Sequence, residues 1–150
     1  MPATTTITHV QPADLDALAT LFDSYRQFYG QAPDRAGARD WLRNRLRFGE
    51  ARALLARRNG EAVGFAQLYP MFSSIRMARI WILNDLFVLP ATRRQGIARG
   101  LLDAAAQFAR DDGAAAIQLE TGLDNAAARA AYRAAGWRED ATQWYSLVLR

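Results

Sequence analysis

The spacing of apolar positions switches between alternating and helical along the chain, and each switch marks an element. Residues 5–9 read as a short strand. Pro12 then sits at a helix start, and Leu15, Leu18, Leu21, Phe22 and Tyr25 repeat at helical spacing up to Gly30. A second helix follows Pro33 and Asp34 and runs to about Phe48. It carries Trp41, Leu42 and Leu46 on one side and Arg35, Arg39, Arg43 and Arg47 as an i,i+4 stripe on another. Residues 53–57 and 62–69 alternate as strands around Asn59-Gly60 and predict a hairpin, residues 70–76 read as a loop, and residues 77–88 as a longer strand. Its apolar run is broken at Asn84-Asp85, where a bulge or splay is expected. Ile97, Leu101, Leu102, Ala105 and Phe108 return to helical spacing, residues 115–121 predict a strand, residues 125–135 a short helix closed by Gly136, and residues 142–149 a last strand. Two early helices, an antiparallel strand set, then strand-helix-strand-helix-strand predict an α+β fold with one mixed sheet covered by helices.

Length and composition narrow the picture. The chain has 150 residues, 51% of them hydrophobic, which suits a single domain spanning residues 1–150. Asn84 and Asp85 cut the longest apolar run far short of a bilayer span, and the N-terminus has no basic-then-apolar signal, so a soluble, cytoplasmic protein without membrane contact is expected. No cysteine is present, which excludes disulfides, thiolate metal sites and thiol nucleophiles. The single histidine, His9, falls in the first strand with no second histidine to form a metal pair; a structural role is expected, and no metal site. All basic side chains are arginine, which excludes lysine Schiff-base chemistry. A net charge of +4 favours anionic ligands, yet aromatics do not interleave with the arginines, which argues against nucleic acid.

Charge and backbone chemistry converge at Arg93-Arg94-Gln95-Gly96-Ile97-Ala98-Arg99, where a strand leads in and a helix leads out. The first N–H groups of a helix lack internal partners and lie at the positive end of its dipole, so they bind anions. Gly96 and Ala98 permit close approach of a diphosphate, and Arg93, Arg94 and Arg99 add charge. No Lys-Ser or Lys-Thr follows the glycine, so this is not a Walker loop, and it is not a dinucleotide G-x-G-x-x-G.

Arg93-x-x-Gly96-x-Ala98 resembles the acetyl-CoA signature Q/R-x-x-G-x-G/A of the GNAT acetyltransferases. Asn125 opening a helix, Tyr132 two turns later and Ala135-Gly136-Trp137 resemble that family's second coenzyme segment, and residues 83–88 are similar to its diamine and thialysine acetyltransferase branch. The resemblance implies an acetyl-CoA-dependent N-acetyltransferase with a mostly antiparallel sheet splayed at the coenzyme. It also implies which residues touch that coenzyme. Leu86, Phe87 and Val88 would offer backbone to the pantetheine, Arg93 to Arg99 would wrap the pyrophosphate, and Gln118, Glu120, Asn125 and Ala128 would line the other side.

Acetyl transfer needs a neutral amine, donors for the developing oxyanion and a proton for the leaving thiolate. Tyr132 is the candidate acid by that resemblance, with backbone N–H groups around Leu86 and Phe87 as oxyanion donors. Without cysteine or a serine elbow, direct attack in a ternary complex is expected. The diamine branch carries Glu where this chain has Asn84, which leaves Asp85 and Glu120 as alternative bases and argues against polyamines. Tyr25, Tyr29, Tyr69, Phe72 and Ser73, with Asn84 and Glu120, form the expected acceptor pocket for a small amino-acid-like or aromatic amine. Alternatives are a protein or peptide acetyltransferase, or a CoA-binding module without catalysis. The arginine stripe reads either as a solvated face or as a site for carboxylates. The aromatic last strand suggests a homodimer.

Overall fold

A computed structural model describes residues 3–150, in two compact units that join after Glu120. In the first unit the strands are β1 (Thr5–His9), β2 (Arg52–Arg58), β3 (Glu61–Ser73), β4 (Ala78–Val88) and β5 (Ala116–Gln118), in the spatial order β1-β2-β3-β4-β5. The pairs from β1 to β4 are antiparallel and β4-β5 is parallel, so the sheet is mixed, as the strand-helix-strand pattern around residues 97–111 requires. The helices of this unit are α1 (Leu15–Phe28), α2 (Arg35–Arg47) and α3 (Ile97–Asp111).

Two apolar surfaces clamp the sheet. Leu18, Leu21 and Phe22 of α1 and Leu42 of α2 pack on Leu55, Phe65 and Phe87, which alternate onto one face. Ile97, Leu101, Leu102 and Ala105 of α3 are buried from the other side. Gly64 makes that approach possible: a Cβ there would lie 2.9 Å from the Phe87 carbonyl and 3.4 Å from Leu101. Each buried Leu contributes about 1.5–3 kcal/mol, so these two faces dominate the stability of the unit.

The β3-β4 ladder holds the feature that matters most for function. Gln67 pairs with Asp85 and Leu68 with Leu83, so Asn84 is the extra residue of a β-bulge, at the break expected from the sequence. Two expectations are corrected. Residues 70–73 continue β3 instead of forming a loop, because β2 ends at the Arg52-Leu68 pair and no β2 residue faces Pro70 to need its missing N–H. Residues 142–149 form no strand, and Trp144, Tyr145, Leu147, Val148 and Leu149 are exposed, because strand propensity without a ladder partner leaves extended chain.

The second unit, residues 121–150, contains α4 (Ala126–Ala134). Asn125 caps it by accepting from Ala128 N at 3.2 Å, Gly136 ends it at φ 91°, and Arg129 bonds Leu123 O and Glu139.

The turn Pro12–Asp14 is tied to β2 by Asp14, whose carboxylate accepts from Gln11 N at 2.8 Å and from Arg57 at 2.6 Å. The Gln11 N–H first and Arg57 second hold its carboxyl below the usual range. A carboxylate with a lowered folded pKa stabilises the protein above the unfolded value, near 3.9, and that stability is lost as pH falls through the folded value. Asp14→Asn should therefore cost about 1 kcal/mol at pH 7 in denaturant melts, with the gap to the parent closing below about pH 4.

Candidate active site

β4 and β5 part just before the bulge. Their ladder covers only Ile80 to Ile82 against Ala116 to Gln118, so from Leu83 to Val88 the outer edge of β4 has no strand partner among the described residues. Leu89 N bonds Val63 O at 2.8 Å, which fixes the alternation: Phe87 and Asp85 turn their backbone groups toward β3, and Leu86 and Val88 turn theirs to the open edge. The sequence-based expectation for Leu86 and Val88 therefore has its geometry. Phe87 does not, since its amide faces β3 and its ring packs among Tyr25, Phe28 and Phe65.

The open edge leads through a 3-10 turn (Pro90–Thr92) into the Arg93-to-Arg99 loop. Arg94 at φ 63° and Gly96 at φ 79° are both left-handed, and for arginine this conformation costs on the order of 1 kcal/mol. They curl the chain so that N–H groups gather at the start of α3, whose N-cap Gly96 has no side chain to accept from them. By contrast, α2 is capped by Asp34 and α4 by Asn125. The start of α3 thus suits an external anion.

The arginines around it differ in role. Arg93 turns back, donating from Nε to Val88 O at 2.9 Å with its guanidinium over Phe28 and Phe87, so it ties the loop to the strand end. Arg99 pairs with Asp103 one turn on, at 3.0 Å. Gln118 ends β5 opposite Ile82, and Glu120 is exposed beyond it. Asn125 spends its side-chain oxygen on Ala128 N, which gives both residues a capping role, and half-buried Tyr132 packs against Trp137 within the second unit.

On the α1/α2 face of the bulge lies a buried polar cluster. Asp85, 5% exposed, accepts at Oδ2 from Gln67 Nε2 (2.9 Å) and at Oδ1 from Asn84 Nδ2 (3.1 Å). Gln67 Nε2 also donates to the Tyr69 hydroxyl at 3.0 Å. Burial first, then the charge of the nearby Asp85 carboxylate, pushes the pKa of the Tyr25 phenol far up. Burial and Asp85 raise Tyr69 as well, opposed by a hydrogen bond from Trp41 and by Arg45. Both phenols therefore stay protonated at neutral pH, and the Tyr69 hydroxyl accepts from Gln67 Nε2.

Of the expected acceptor residues, Tyr25, Tyr69 and Asn84 lie here with the candidate base Asp85, and Tyr29 sits edge-on to Tyr25 at 5.0 Å. Phe72 and Ser73 do not: they lie five and six residues past Gln67, about 17–20 Å along the strand. Phe72 packs under Arg79, and Ser73 Oγ accepts from Arg76 N in the hairpin turn. The arginine stripe is consumed locally. Arg35 and Arg39 pair with Asp16 of α1, Arg43 with Asp40, and Arg47 lies over Phe48, so it fastens α2 to α1. His9 packs edge-on against Phe108, the structural role expected of it.

Sequence reasoning missed Gln67 and Trp41. The available signal was Gln67 as a lone amide in the apolar run 62–69, but only the register with β4 gives it meaning.

The first unit is thus an α+β sheet that parts beside a helix start with no side-chain cap. The sequence model of the Acetyltransferase (GNAT) family matches residues 16–137, and the chain belongs to that family as an N-acetyltransferase. It is 46% identical over 134 residues to "Uncharacterized N-acetyltransferase YhfO" of Bacillus subtilis (strain 168), covering 89% of this chain and 90% of that one. Among solved structures it is similar to a probable acetyltransferase (40% identity, TM-score 0.91, 97% and 98% of the two chains). It also shares its fold with an aminoglycoside N-acetyltransferase in complex with CoA (20% identity, TM-score 0.79, 98% of this chain and 97% of that one).

Because the Gly96 Cβ position opens on empty space, Gly96→Ala should fold normally and lose only about 1 kcal/mol, the cost of a left-handed alanine, in thermal melts.

Proposed function

We propose that the protein transfers acetyl from acetyl-CoA directly to the primary amine of a small molecule, in a ternary complex. The observation that carries this reading is the open edge of β4 at Leu86 and Val88, which leads into the strained, uncapped start of α3. The edge suits the pantetheine amides, and the loop from Arg93 to Arg99, with Arg94 and Gln95 among its members, suits the pyrophosphate. Gln118, Glu120, Asn125, Ala128 and Tyr132 complete the coenzyme set. The family model spans the join of the two units, which supports one acetyltransferase domain over residues 1–150.

The acceptor arrives as an ammonium ion and gives a proton to Asp85, which draws it by charge; the neutral amine then attacks the thioester carbon. The C–N bond forms while the oxyanion accepts from the Leu86 N–H, the C–S bond breaks, Tyr132 gives its proton to the thiolate, and the surplus proton on the new amide nitrogen passes through solvent to the Tyr132 phenolate; Asp85 releases its proton to solvent when the product leaves. Asn84 contributes polarity without taking a proton, since an amide is not a base at working pH. Tyr25, Tyr29 and Tyr69 around one buried carboxylate suit a compact cation, and the similar fold of an aminoglycoside acetyltransferase supports a small-molecule acceptor. The likeness of residues 83–88 to the diamine branch extends to the donor strand; the acceptor differs, because Asn84 removes a charge that polycations need.

We place the reaction in the cytoplasm, with its acetyl-CoA supply, and assign a homodimer, in which a second copy covers the exposed apolar residues of the segment 142–149.

Release of free CoA measured over a panel of aminoglycosides, amino acids, arylalkylamines, polyamines and peptides should show turnover with a small primary amine. Turnover with peptides alone would assign a protein acetyltransferase, and none above hydrolysis would reject the enzyme. Gly96→Glu should abolish CoA binding by calorimetry in a folded protein; unchanged affinity would refute the phosphate assignment. Tyr132→Phe should lower kcat by about 10- to 100-fold, and an unchanged rate across pH would remove Tyr132 as the acid. Deleting residues 142–150 should convert a sedimenting dimer to monomer.

A further inference from the structure

Gln67 is 0% exposed in the middle of the sheet, where apolar neighbours Phe65, Ala66 and Leu68 are equally buried. Its amide is unevenly used. Nε2 donates twice, to Asp85 Oδ2 at 2.9 Å and to the Tyr69 hydroxyl at 3.0 Å, and Oε1 has no partner among the described residues. Rotating the amide by 180° would set Oε1 against Asp85, oxygen to oxygen, and strip Oδ2 of this donor. The orphaned acceptor is thus the consequence of serving the carboxylate. Packing alone would be met better by methionine or leucine, which fill the same space without an unsatisfied atom. A polar group kept at that cost points to the reaction.

Position strengthens the argument. Gln67-Asp85 is the last regular pair before the register shift, and the neighbouring bulged residue Asn84 holds the other carboxylate oxygen. One amide on each oxygen fixes both the location and the plane of the carboxylate at the point where β4 opens. We propose that Gln67 is a positioning residue for acetyl transfer, acting through Asp85: its amide holds the carboxylate in the orientation that receives the acceptor's proton. Tyr69 is steadied by the same amide, so Gln67 sets the spacing between a carboxylate and a phenol on the acceptor side.

The inference rests on the role of Asp85 proposed above, and the test separates the two. Steady-state kinetics use acetyl-CoA and the amine of highest turnover from the acceptor panel, for the parent, Gln67→Met, Asp85→Asn and the double variant. Gln67→Met should lower kcat about tenfold while KM for acetyl-CoA stays within about twofold, because the donor edge is untouched. Because Met leaves Oδ2 of buried Asp85 without this donor, the thermal midpoint should fall modestly, and the rates are read well below it. In the Asp85→Asn background the same substitution should change kcat by less than about twofold, since the group it acts through is gone. Equal losses in both backgrounds would make Gln67 a structural residue and overturn the inference. If Asp85→Asn lowers kcat and Gln67→Met does not, the inference fails and the base assignment stands. An unchanged kcat for Asp85→Asn, or no turnover with any amine, overturns both.

Discussion

One extra residue in one strand sets the terms for the rest of the molecule. Because Asn84 has no partner across the β3-β4 ladder, the two sides of β4 exchange faces at that point. Asp85 is carried onto the buried α1/α2 face beside Gln67, and Leu86 and Val88 present their backbone to an edge that β5 has already left. A strand with regular register would turn Asp85 to the opposite face, away from Tyr25 and Tyr69. The face of the carboxylate and the direction of the Leu86 and Val88 backbone are two results of a single bulge.

The site is held rigid at the expense of stability. A buried carboxylate with amide donors replaces what could be apolar packing, one acceptor is left unmatched, and an arginine is kept in a left-handed conformation before α3. The two apolar faces of the sheet offset this. The α1/α2 layer packs on Leu55, Phe65 and Phe87, α3 buries Leu101 and Leu102, and the Asp16 pairs with Arg35 and Arg39 fasten the first layer to itself. Strain is thereby concentrated at the bulge and at the start of α3.

Arg93 shows how residues in one motif divide their work. Sequence groups it with Arg94 and Arg99 as a charge cluster, yet its guanidinium lies over Phe28 and Phe87 and its Nε holds the Val88 carbonyl. It joins the last residue of the open strand to the loop, so the unpaired edge of β4 and the turn before α3 are fixed to each other.

By itself the sequence determined what depends on near neighbours. Helical and alternating spacing located α1 to α4 and the strand cores, Gly96 before Ile97 marked the start of α3, and the polar break at Asn84-Asp85 marked the bulge, because local sterics and side-chain period encode these directly. The motif at residues 93–98 added the family. Only the tertiary structure decided which groups meet. Gln67 gained its partner through register with β4, Pro70 was admitted to β3 because β2 stops short of it, Phe72 and Ser73 were carried away from the site along the hairpin, and residues 142–149 were left without a ladder despite their strand-like composition. Pairing and register are properties of distant segments brought together, and no single stretch of chain contains them.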